Sequence, residues 1–432
     1  MRTLSVFEHS TLHVRARSGS FNALAPTLTP AQFDALARFN GCHGDRYFHL
    51  GHRRLTFRSY VGYLQVGTLG IEILPKIARH AAEVRSQTHW QNLLLEMLRV
   101  SASLPLHSPT STLRGAGRPT LFELVAVRFT EELERLLHEG LAKGYREIEA
   151  NGSTFRGRLL SERHVRSNFA RADRFFVRFS TFDRDIGINR ILAAAARALS
   201  QAALAPALQA RIAASALCLP DGATTGVGPE DCDRIVLARN TVRYRDALTL
   251  ARLILAQRAP ELRAGEHSVF AVLFDMNALW EHYVGWLFRR AVPSHWDVAL
   301  QESCNLWQER PARARRVRPD IVLRDRASGR NLLVVDAKWK AAGDGAPADD
   351  DLKQMFVYNH LFGTDQSILV YPSAGAGWQA LAGEFFDRRH RCGSLGVGLF
   401  DGLLPRPEGM VSQVRDLLAL LGSGAGTAGP RW

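Results

Sequence analysis

The segment Arg318–Lys340 constrains the fold of this chain more than any other part of the sequence. It contains two short runs of strand-forming residues, Ile321–Arg324 and Asn331–Ala337, separated by Asp-Arg-Ala-Ser-Gly-Arg, which is typical of a turn. The second run is apolar at successive positions, as expected of a strand buried on both faces. The sequence therefore predicts a β-hairpin whose second strand is a central one.

Two carboxylates and an ammonium group are predicted to meet at the end of this hairpin. If the chain reverses near Ser328, Asp320 and Asp336 lie opposite each other, because 328 is the midpoint of 320 and 336. Side chains alternate along a strand, so Asp336 and Lys338 share a face. Burying such charges is costly unless they are paired or hold a metal ion. The pattern indicates either a metal-binding site or, as the plainer alternative, a structural Asp–Lys ion pair.

Polar residues on two predicted helices accompany the hairpin. Asp349–Asp351 suit the N-terminus of one helix, and Gln354 and Tyr358, four residues apart, share one of its faces. Upstream, Asp275–Glu281 opens another helix, in which Glu281 is a lone acid among apolar neighbours. Both helices are candidates to carry further residues of the site.

The order of these motifs resembles the PD-(D/E)xK nuclease superfamily. Pro319-Asp320 would be its first motif, Asp336-Ala337-Lys338 its second, and Gln354 with Tyr358 would lie on the helix that follows. The core motif alone is short and degenerate, and the ordered set is much more specific.

Longer stretches of the sequence resemble the McrC family, the nuclease subunit of McrBC-type modification-dependent restriction systems. The stretches that carry this resemblance are FDMNALWEHYV at 274–284, the hairpin itself, and YVGYLQVGTLGIEILPKI at 60–77. The resemblance implies that the N-terminal part engages a partner motor or DNA.

The same resemblance implies a hydrolytic site that binds Mg²⁺, or Mn²⁺ in its place. The residues it assigns to catalysis are Asp320, Asp336, Lys338, Glu281 and Gln354. Asp320, Asp336 and the backbone carbonyl of Ala337 would bind the metal, since Mg²⁺ is a hard cation that takes oxygen ligands. Glu281 would complete the metal shell through water. Lys338 would orient the attacking water or stabilise the transition state, and the glutamine would position its helix against the site or the DNA.

The charge of the chain favours a polyanionic partner. Its 432 residues include 55 Lys and Arg against 42 Asp and Glu, a formal net charge of +13. Such an excess of positive charge is typical of nucleic-acid binding. A high content of Ala and Arg throughout a chain can also reflect the overall composition of its genome. Together with the acidic site it predicts double-stranded DNA, which by resemblance is modified. The residues predicted to contact DNA are Arg316, Arg318, Lys340 and Tyr358; an exposed basic loop is the alternative for the arginines.

Several other classes of protein are excluded by the motifs they need. The sequence contains no GxxxxGK[ST], HExxH or GxSxG, so nucleotide hydrolysis by this chain alone and zinc or serine hydrolase chemistry have no support. The five cysteines are scattered without a CxxC pair, which indicates neither a disulfide framework nor a zinc ribbon. No apolar run is long enough for a membrane span or the core of a signal peptide, so we expect a cytoplasmic protein.

The sequence predicts a multidomain α+β protein. Residues 1–103 form a β-rich N-terminal domain and 104–265 a mainly helical region, which begins in the Pro-, Ser- and Gly-rich stretch 104–119. Residues 266–421 form the nuclease domain, an α/β core with a mixed sheet flanked by helices, and 422–432 a flexible tail.

The expected function is a Mg²⁺-dependent DNA endonuclease subunit of a restriction complex in antiviral defence, which activates an AAA+ GTPase partner of the McrB type. One alternative is a stand-alone structure-dependent or end-processing nuclease of the same superfamily. Another is a non-catalytic DNA-binding adaptor of an AAA+ motor. The intact Asp320, Asp336 and Lys338 argue against the adaptor.

Overall fold

The computed structural model describes residues 2–14, 27–67, 69–76, 87–101, 121–202, 204–220, 226–256, 269–309, 313–340, 347–373, 375, 377–387, 389–401 and 404–423. The chain divides into two compact units. Gly115–Arg263 make up most of one unit, and Arg2–Arg114 with Leu273–Trp432 most of the other. The predicted linker 104–119 lies outside the described residues, as does the predicted tail beyond Ser423.

The N-terminal part of the chain is rich in strands, as predicted. Its elements are β1 (Arg2–Phe7), β2 (Thr11–Val14), β3 (Thr27–Leu28), α1 (Pro30–Cys42), β4 (Phe48–Gly51), β5 (Arg54–Phe57), β6 (Tyr60–Val66), β7 (Leu69–Leu74) and α2 (Gln87–Ser101). One sheet has the order β3-β2-β5-β4, and in another β7 lies between β1, parallel to it, and β6, antiparallel to it. Helix α1 begins at a capping box, in which Thr29 and Gln32 each bond the other's backbone N–H, at 3.2 and 2.9 Å.

The middle of the chain is mainly helical, as predicted, and also contains a sheet. Its elements are α3 (Leu121–Glu139), β8 (Gly144–Gly152), β9 (Arg158–Leu159), α4 (Ser161–Asn168), β10 (Phe175–Asp183), α5 (Gly187–Ser200), α6 (Pro206–Leu217), α7 (Pro229–Asp233) and α8 (Arg245–Ala256). The strands form an antiparallel sheet of order β8-β10-β9. Helix α5 is rich in buried alanine and packs against α6 and α8, since small side chains allow helices to approach closely.

The C-terminal part of the chain forms a mixed sheet with helices packed against it. Its elements are β11 (Val269–Asp275), α9 (Met276–Ala291), β12 (Trp296–Leu300), β13 (Cys304–Glu309), β14 (Arg313–Val317), β15 (Ile321–Asp325), β16 (Asn331–Ala337), α10 (Asp349–Phe362), β17 (Gln366–Ser373), β18 (Trp378–Glu384), β19 (Arg391–Gly398), β20 (Phe400–Asp401), β21 (Leu404–Pro405) and α11 (Pro407–Ser423). The described strands of the main sheet have the order β12-β15-β16-β17-β19-β18. The predicted α/β core with a mixed sheet is thus confirmed.

Strand β16 is central in this sheet, as its apolar sequence predicts. It is antiparallel to β15 on one side and parallel to β17 on the other. Helix α10 packs against β16 and β17, and helix α9 packs against β16, α2 and α11. The core beneath α10 includes Val334, Met355, Phe362 and Leu369, each buried. Burial on this scale stabilises each aliphatic side chain by about 1.5–3 kcal/mol, so the sheet provides a rigid support for polar groups at its edge.

The hairpin of β15 and β16 has the register that the sequence predicts. Ile321 pairs with Val335 and Val322 with Val334, which places Asp320 opposite Asp336 when the pairing is continued by one residue. The turn between the strands is closed by the N–H of Gly329, which donates to the carbonyl of Asp325 at 2.9 Å. Gly329 has a left-handed backbone with φ of 67°, a conformation that glycine adopts without strain.

The described residues contain no helix that combines the length and the apolar character required to cross a bilayer.

The left-handed backbone at Gly329 allows a direct test of this turn. A Cβ added there meets no atom within 4 Å, so a substitution costs only the backbone strain. That strain is about 1 kcal/mol for Ala and less for Asn, which tolerates the left-handed region. We expect Gly329→Ala to lower the Tm by about 2 °C and Gly329→Asn by clearly less, in thermal melts followed by circular dichroism. Equal losses in the two variants would contradict the conformation of the turn.

Candidate active site

Asp320, Asp336 and Lys338 lie together where β15 begins and β16 ends. Asp320 and Asp336 are buried, with 8% and 3% of their surface exposed, and Lys338 is partly exposed. The N–H of Ala337 donates to Asp320 Oδ2 at 2.7 Å, a hydrogen bond that closes the end of the hairpin. The structure therefore brings together the two acids and the lysine that the sequence singled out.

The ammonium group of Lys338 is shared between the hairpin and helix α10. Its Nζ lies 2.6 Å from Asp336 Oδ2 and donates to Gln354 Oε1 at 2.9 Å. Gln354 Nε2 donates to Asp336 Oδ1 at 3.2 Å and to the hydroxyl of Tyr358 at 2.6 Å. The Tyr358 hydroxyl in turn donates to the carbonyl of Arg318 at 3.3 Å. The four-residue spacing of Gln354 and Tyr358 thus places both side chains on one face of α10, as predicted, where they contact each other.

One oxygen of Asp336 is in an unusual environment. Asp336 Oδ2 is buried and, among the described residues, has an ion-pair partner in Lys338 but no partner in hydrogen-bond geometry. A carboxylate oxygen in this position can accept a hard cation. Within the described parts of the chain, no three His, Cys, Asp or Glu side chains form a metal-binding group by themselves. A cation here would therefore need backbone carbonyl or water ligands as well.

The acids of the site hinder one another's ionisation. Burial raises the pKa of Asp320 to about 7, and the negative charge of Asp336 adds to the rise. Burial also raises the pKa of Asp336, although the nearby ammonium of Lys338 opposes this. The pKa of Glu281, on helix α9, is raised by burial and then by the charge of Asp336. A bound cation would relieve this repulsion, because it favours the ionised form of every carboxyl group near it.

The residues predicted to contact DNA differ in their surroundings. Arg316 and Arg318 are exposed; the Arg316 guanidinium donates to Asn305 Oδ1 at 3.2 Å. Lys340 is partly exposed, forms an ion pair with Asp351, and is thereby held against the protein. Tyr358 is buried, and its hydroxyl is engaged within the site.

Two residues of the site were not predicted from the sequence. Gln301 donates from Nε2 to Asp320 Oδ1 and from its backbone N–H to the Asp320 carbonyl, both at 3.0 Å. Its backbone is left-handed, with φ of 54°, which is a strained conformation for this residue type. Asp351 is the other, and it binds Lys340 and accepts a hydrogen bond from the Tyr371 hydroxyl at 3.4 Å. The feature that would have identified Gln301 as a residue of the site is the pairing of Leu300 with Ile321, because it places Gln301 opposite Asp320.

A family model described as McrBC 5-methylcytosine restriction system component matches residues 55–372, a span that includes the hairpin and Gln354. None of the curated proteins matches the sequence.

Two solved structures from Thermococcus gammatolerans are similar to this chain. One is the refined half-complex from a tetradecameric assembly of McrB AAA+ hexamers with bound McrC, with a TM-score of 0.69 and 19% identity over 96% of this chain and 100% of that chain. The other is a cryo-EM structure of the McrBC complex, with a TM-score of 0.44 and 21% identity over 67% of this chain and 88% of that one. At 19% identity the first of these supports the fold.

The family match spans more than half of the chain and confirms the resemblance predicted from the motifs. The chain therefore belongs to the family of McrBC 5-methylcytosine restriction system components.

Proposed function

We propose that this chain is the nuclease subunit of a modification-dependent restriction complex and hydrolyses DNA phosphodiester bonds at Asp320, Asp336 and Lys338. The observation that carries the proposal is the burial of two carboxylates, one of them beside an ammonium, at the end of a rigid hairpin. A structural ion pair needs one acid, and a second buried acid only adds repulsion. The second acid is accounted for if the site binds a cation.

The residues present fit a magnesium ion. Asp320, Asp336 and the carbonyl of Ala337 offer oxygen atoms, which this ion prefers, and Glu281 would contribute through water. Asp336 Oδ2 is buried and lies 2.6 Å from Lys338 Nζ, so an ion bound there would share this oxygen with the ammonium. When bound, the ion lowers the pKa of a coordinated water and neutralises charge on the phosphate.

The remaining side chains orient the reacting groups. Lys338 carries a positive charge at a partly exposed position, where it can donate to an attacking water or a phosphate oxygen. Gln354 holds Lys338 through its carbonyl oxygen and Asp336 through its amide, so that both keep a fixed relative position. The hydroxyl of Tyr358 fixes Gln354 in turn. We therefore assign Tyr358 to support of the site rather than to contact with DNA.

The hairpin of β13 and β14 is the proposed DNA-binding surface beside the site. It leads directly into Asp320 and carries the exposed Arg316, and Arg318 follows it. Arg315 lies over the ring of Trp307, 5.7 Å from its centre, and Trp307 is half exposed. Arginine and aromatic side chains together suit the phosphate backbone and the bases of a nucleic acid.

The proposed partner is an AAA+ GTPase of the McrB type. The support is the family match and the fold shared with a McrC bound to McrB hexamers. This chain lacks the motif for binding nucleotide phosphates, so the energy for translocation would come from the partner.

Cleavage of methylated and unmethylated plasmid with Mg²⁺ tests the function, with the chain alone and with its AAA+ partner plus GTP. We expect cutting only with partner and nucleotide, and only of methylated DNA. Asp336→Ala should abolish it, and Lys338→Ala should lower the rate by about 100-fold or more, because each removes a group that acts on the reacting atoms. Asp350→Ala is the matched control, since this acid lies on α10 with 94% of its side chain exposed.

The outcomes separate the alternatives. Cutting by the chain alone would favour a stand-alone nuclease. Stimulation of the partner's GTP hydrolysis without any cutting would favour the adaptor. Full activity in Asp336→Ala would refute the site.

The raised pKa of Asp320 predicts a dependence of stability on pH in the absence of metal. Below about pH 4 this carboxyl is protonated in both the folded and the unfolded chain. As the pH rises to about 7 it ionises freely only in the unfolded chain, so the free energy of unfolding falls by a few kcal/mol and then stays level.

Asp320→Asn removes this titration, and the amide of Gln301 can turn to accept the new N–H. In EDTA we expect the Asn variant to be more stable than the wild type at pH 7 and 8, with a difference that shrinks towards pH 5. Thermal melts at each pH measure this, and a difference independent of pH would contradict it.

Binding of Mg²⁺ can be measured without cleavage, by its effect on the Tm. At pH 8 and at 100 times its Kd the ion should stabilise the wild type by about 2.7 kcal/mol. Below pH 7 a proton on Asp320 competes, so the Mg²⁺ concentration for half of the effect should rise about tenfold for each pH unit. Asp350→Ala should behave as the wild type, and a shift of equal size in Asp336→Ala would argue against the proposed ligands.

A further inference from the structure

A buried carboxylate outside the site is connected to the strand that carries Lys338. Glu8 directly follows β1 and is fully buried. Its Oε1 accepts two hydrogen bonds of 2.8 Å, one from the indole Nε1 of Trp339 and one from the backbone N–H of Lys76. The backbone N–H of Glu8 donates to the carbonyl of Leu74, also at 2.8 Å. Glu8 therefore joins the ends of β1 and β7 to the residue between Lys338 and Lys340.

The other oxygen of Glu8 is poorly satisfied. Glu8 Oε2 is buried without a hydrogen-bond partner among the described residues, and the ring of His9 approaches it only to 3.8 Å. Burial raises the pKa of Glu8, as expected of a carboxylate removed from water. Burying this carboxylate has a desolvation cost, which the two hydrogen bonds to Oε1 offset in part, and an apolar side chain of similar volume would leave both donors without an acceptor.

Trp339 connects Glu8 to both parts of the site. Its ring packs against that of Trp280, with the ring centres 5.7 Å apart, and Trp280 Nε1 donates to the carbonyl of Val370 at 3.2 Å. The same carbonyl accepts the backbone N–H of Lys338 at 2.9 Å. Glu281 is the next residue after Trp280 on α9. The carbonyl of Val370 is thus the point where the supports of Lys338 and Glu281 meet.

The backbone of Lys338 needs such an anchor because strand β16 ends at Ala337. The bond from the N–H of Lys338 to the carbonyl of Val370 is the last described link to β17, and the long side chain of Lys338 amplifies any rotation of the backbone beyond it. Trp339 is 3% exposed, so its ring is well packed, but packing alone does not define its rotation as a directed hydrogen bond does.

We propose that Glu8 is a positioning residue for the catalytic site: through Trp339 it fixes the backbone of Lys338 and the start of the helix that carries Glu281. This inference rests on the proposed nuclease function. A displacement of about 1 Å at a reacting group lowers the rate by up to 100-fold, so loss of the anchor acts on kcat rather than on DNA binding.

The experiment uses the full chain with its AAA+ partner, Mg²⁺ and methylated plasmid, at a temperature well below the Tm of every variant. Glu8→Met removes both hydrogen bonds and keeps the volume, and Trp339→Phe removes only the indole N–H. We expect each to lower kcat by about tenfold or more with KM for DNA within about twofold, and the double variant to be no slower than the single ones. Glu8→Gln keeps an oxygen that accepts the indole N–H, so it should retain kcat.

Glu72→Met is the matched control. Glu72 is a buried acid on the neighbouring strand β7 and accepts a hydrogen bond from Gln91 at 2.5 Å. Gln91 lies on helix α2, and not on the segment that carries Lys338. We expect Glu72→Met to lower the Tm and leave kcat unchanged. Hydrogen exchange of the peptide that contains residues 338–340 gives a second measure, and it should become faster in Glu8→Met but not in Glu8→Gln or in the control.

A Glu8→Met variant with a lowered Tm but unchanged kcat and unchanged exchange at 338–340 would overturn the inference and leave Glu8 with a structural role alone. Asp336→Ala is assayed beside it. An inactive Asp336→Ala with a fully active Glu8→Met overturns only the role of Glu8, whereas an active Asp336→Ala overturns the proposed function itself.

Discussion

The site depends on the antiparallel register of β15 and β16. A shift of this pairing by one residue would turn every side chain of β16 to the opposite face and carry Asp336 away from Asp320. Because both faces of these strands are buried, the turn closed at Gly329 sets which residues pair. The hydrogen bond from Ala337 to Asp320 is the last link of the same pairing. The turn and the pairing of the hairpin thus determine where the polar groups beyond it lie.

The rigid fold also keeps buried acidic groups close to one another. Burial raises the pKa values of Asp320, Asp336 and Glu281, and the charge of Asp336 raises those of Asp320 and Glu281 further, because the helices and strands do not let these groups move apart. Lys338 compensates only part of the negative charge. The fold therefore supports an arrangement of charges that is unfavourable by itself, as is common where a site binds a cation.

Local spacing in the sequence was enough to predict much of this site. The hairpin, the opposition of Asp320 and Asp336, and the shared face of Gln354 and Tyr358 all follow from the periods of strands and helices. Gln301 and Glu8 were not predicted, because their positions depend on the pairing of β12 with β15 and on the packing of the N-terminal strand, which involve residues far apart in the chain.

The middle region also contains features that local sequence patterns do not predict. The sequence contains many arginines there, but several are neutralised by acids that approach only in the fold. Arg163 and Arg178 both pair with Glu149, and Arg146 pairs with Asp183. Strand β8 alternates half-buried and exposed side chains, but its sequence does not alternate apolar and polar residues. The prediction of a mainly helical region therefore did not include this sheet.

The bond between Glu8 and Trp339 joins residues that are 331 positions apart. During synthesis the N-terminal strand leaves the ribosome long before its partner exists, and a contact of such sequence separation forms late in folding. A C-terminal fragment without β1 would contain the two acids and the lysine but not Glu8. The residues at the end of the hairpin are thus held in part by a side chain from the first strand of the chain, which no local segment around them could supply.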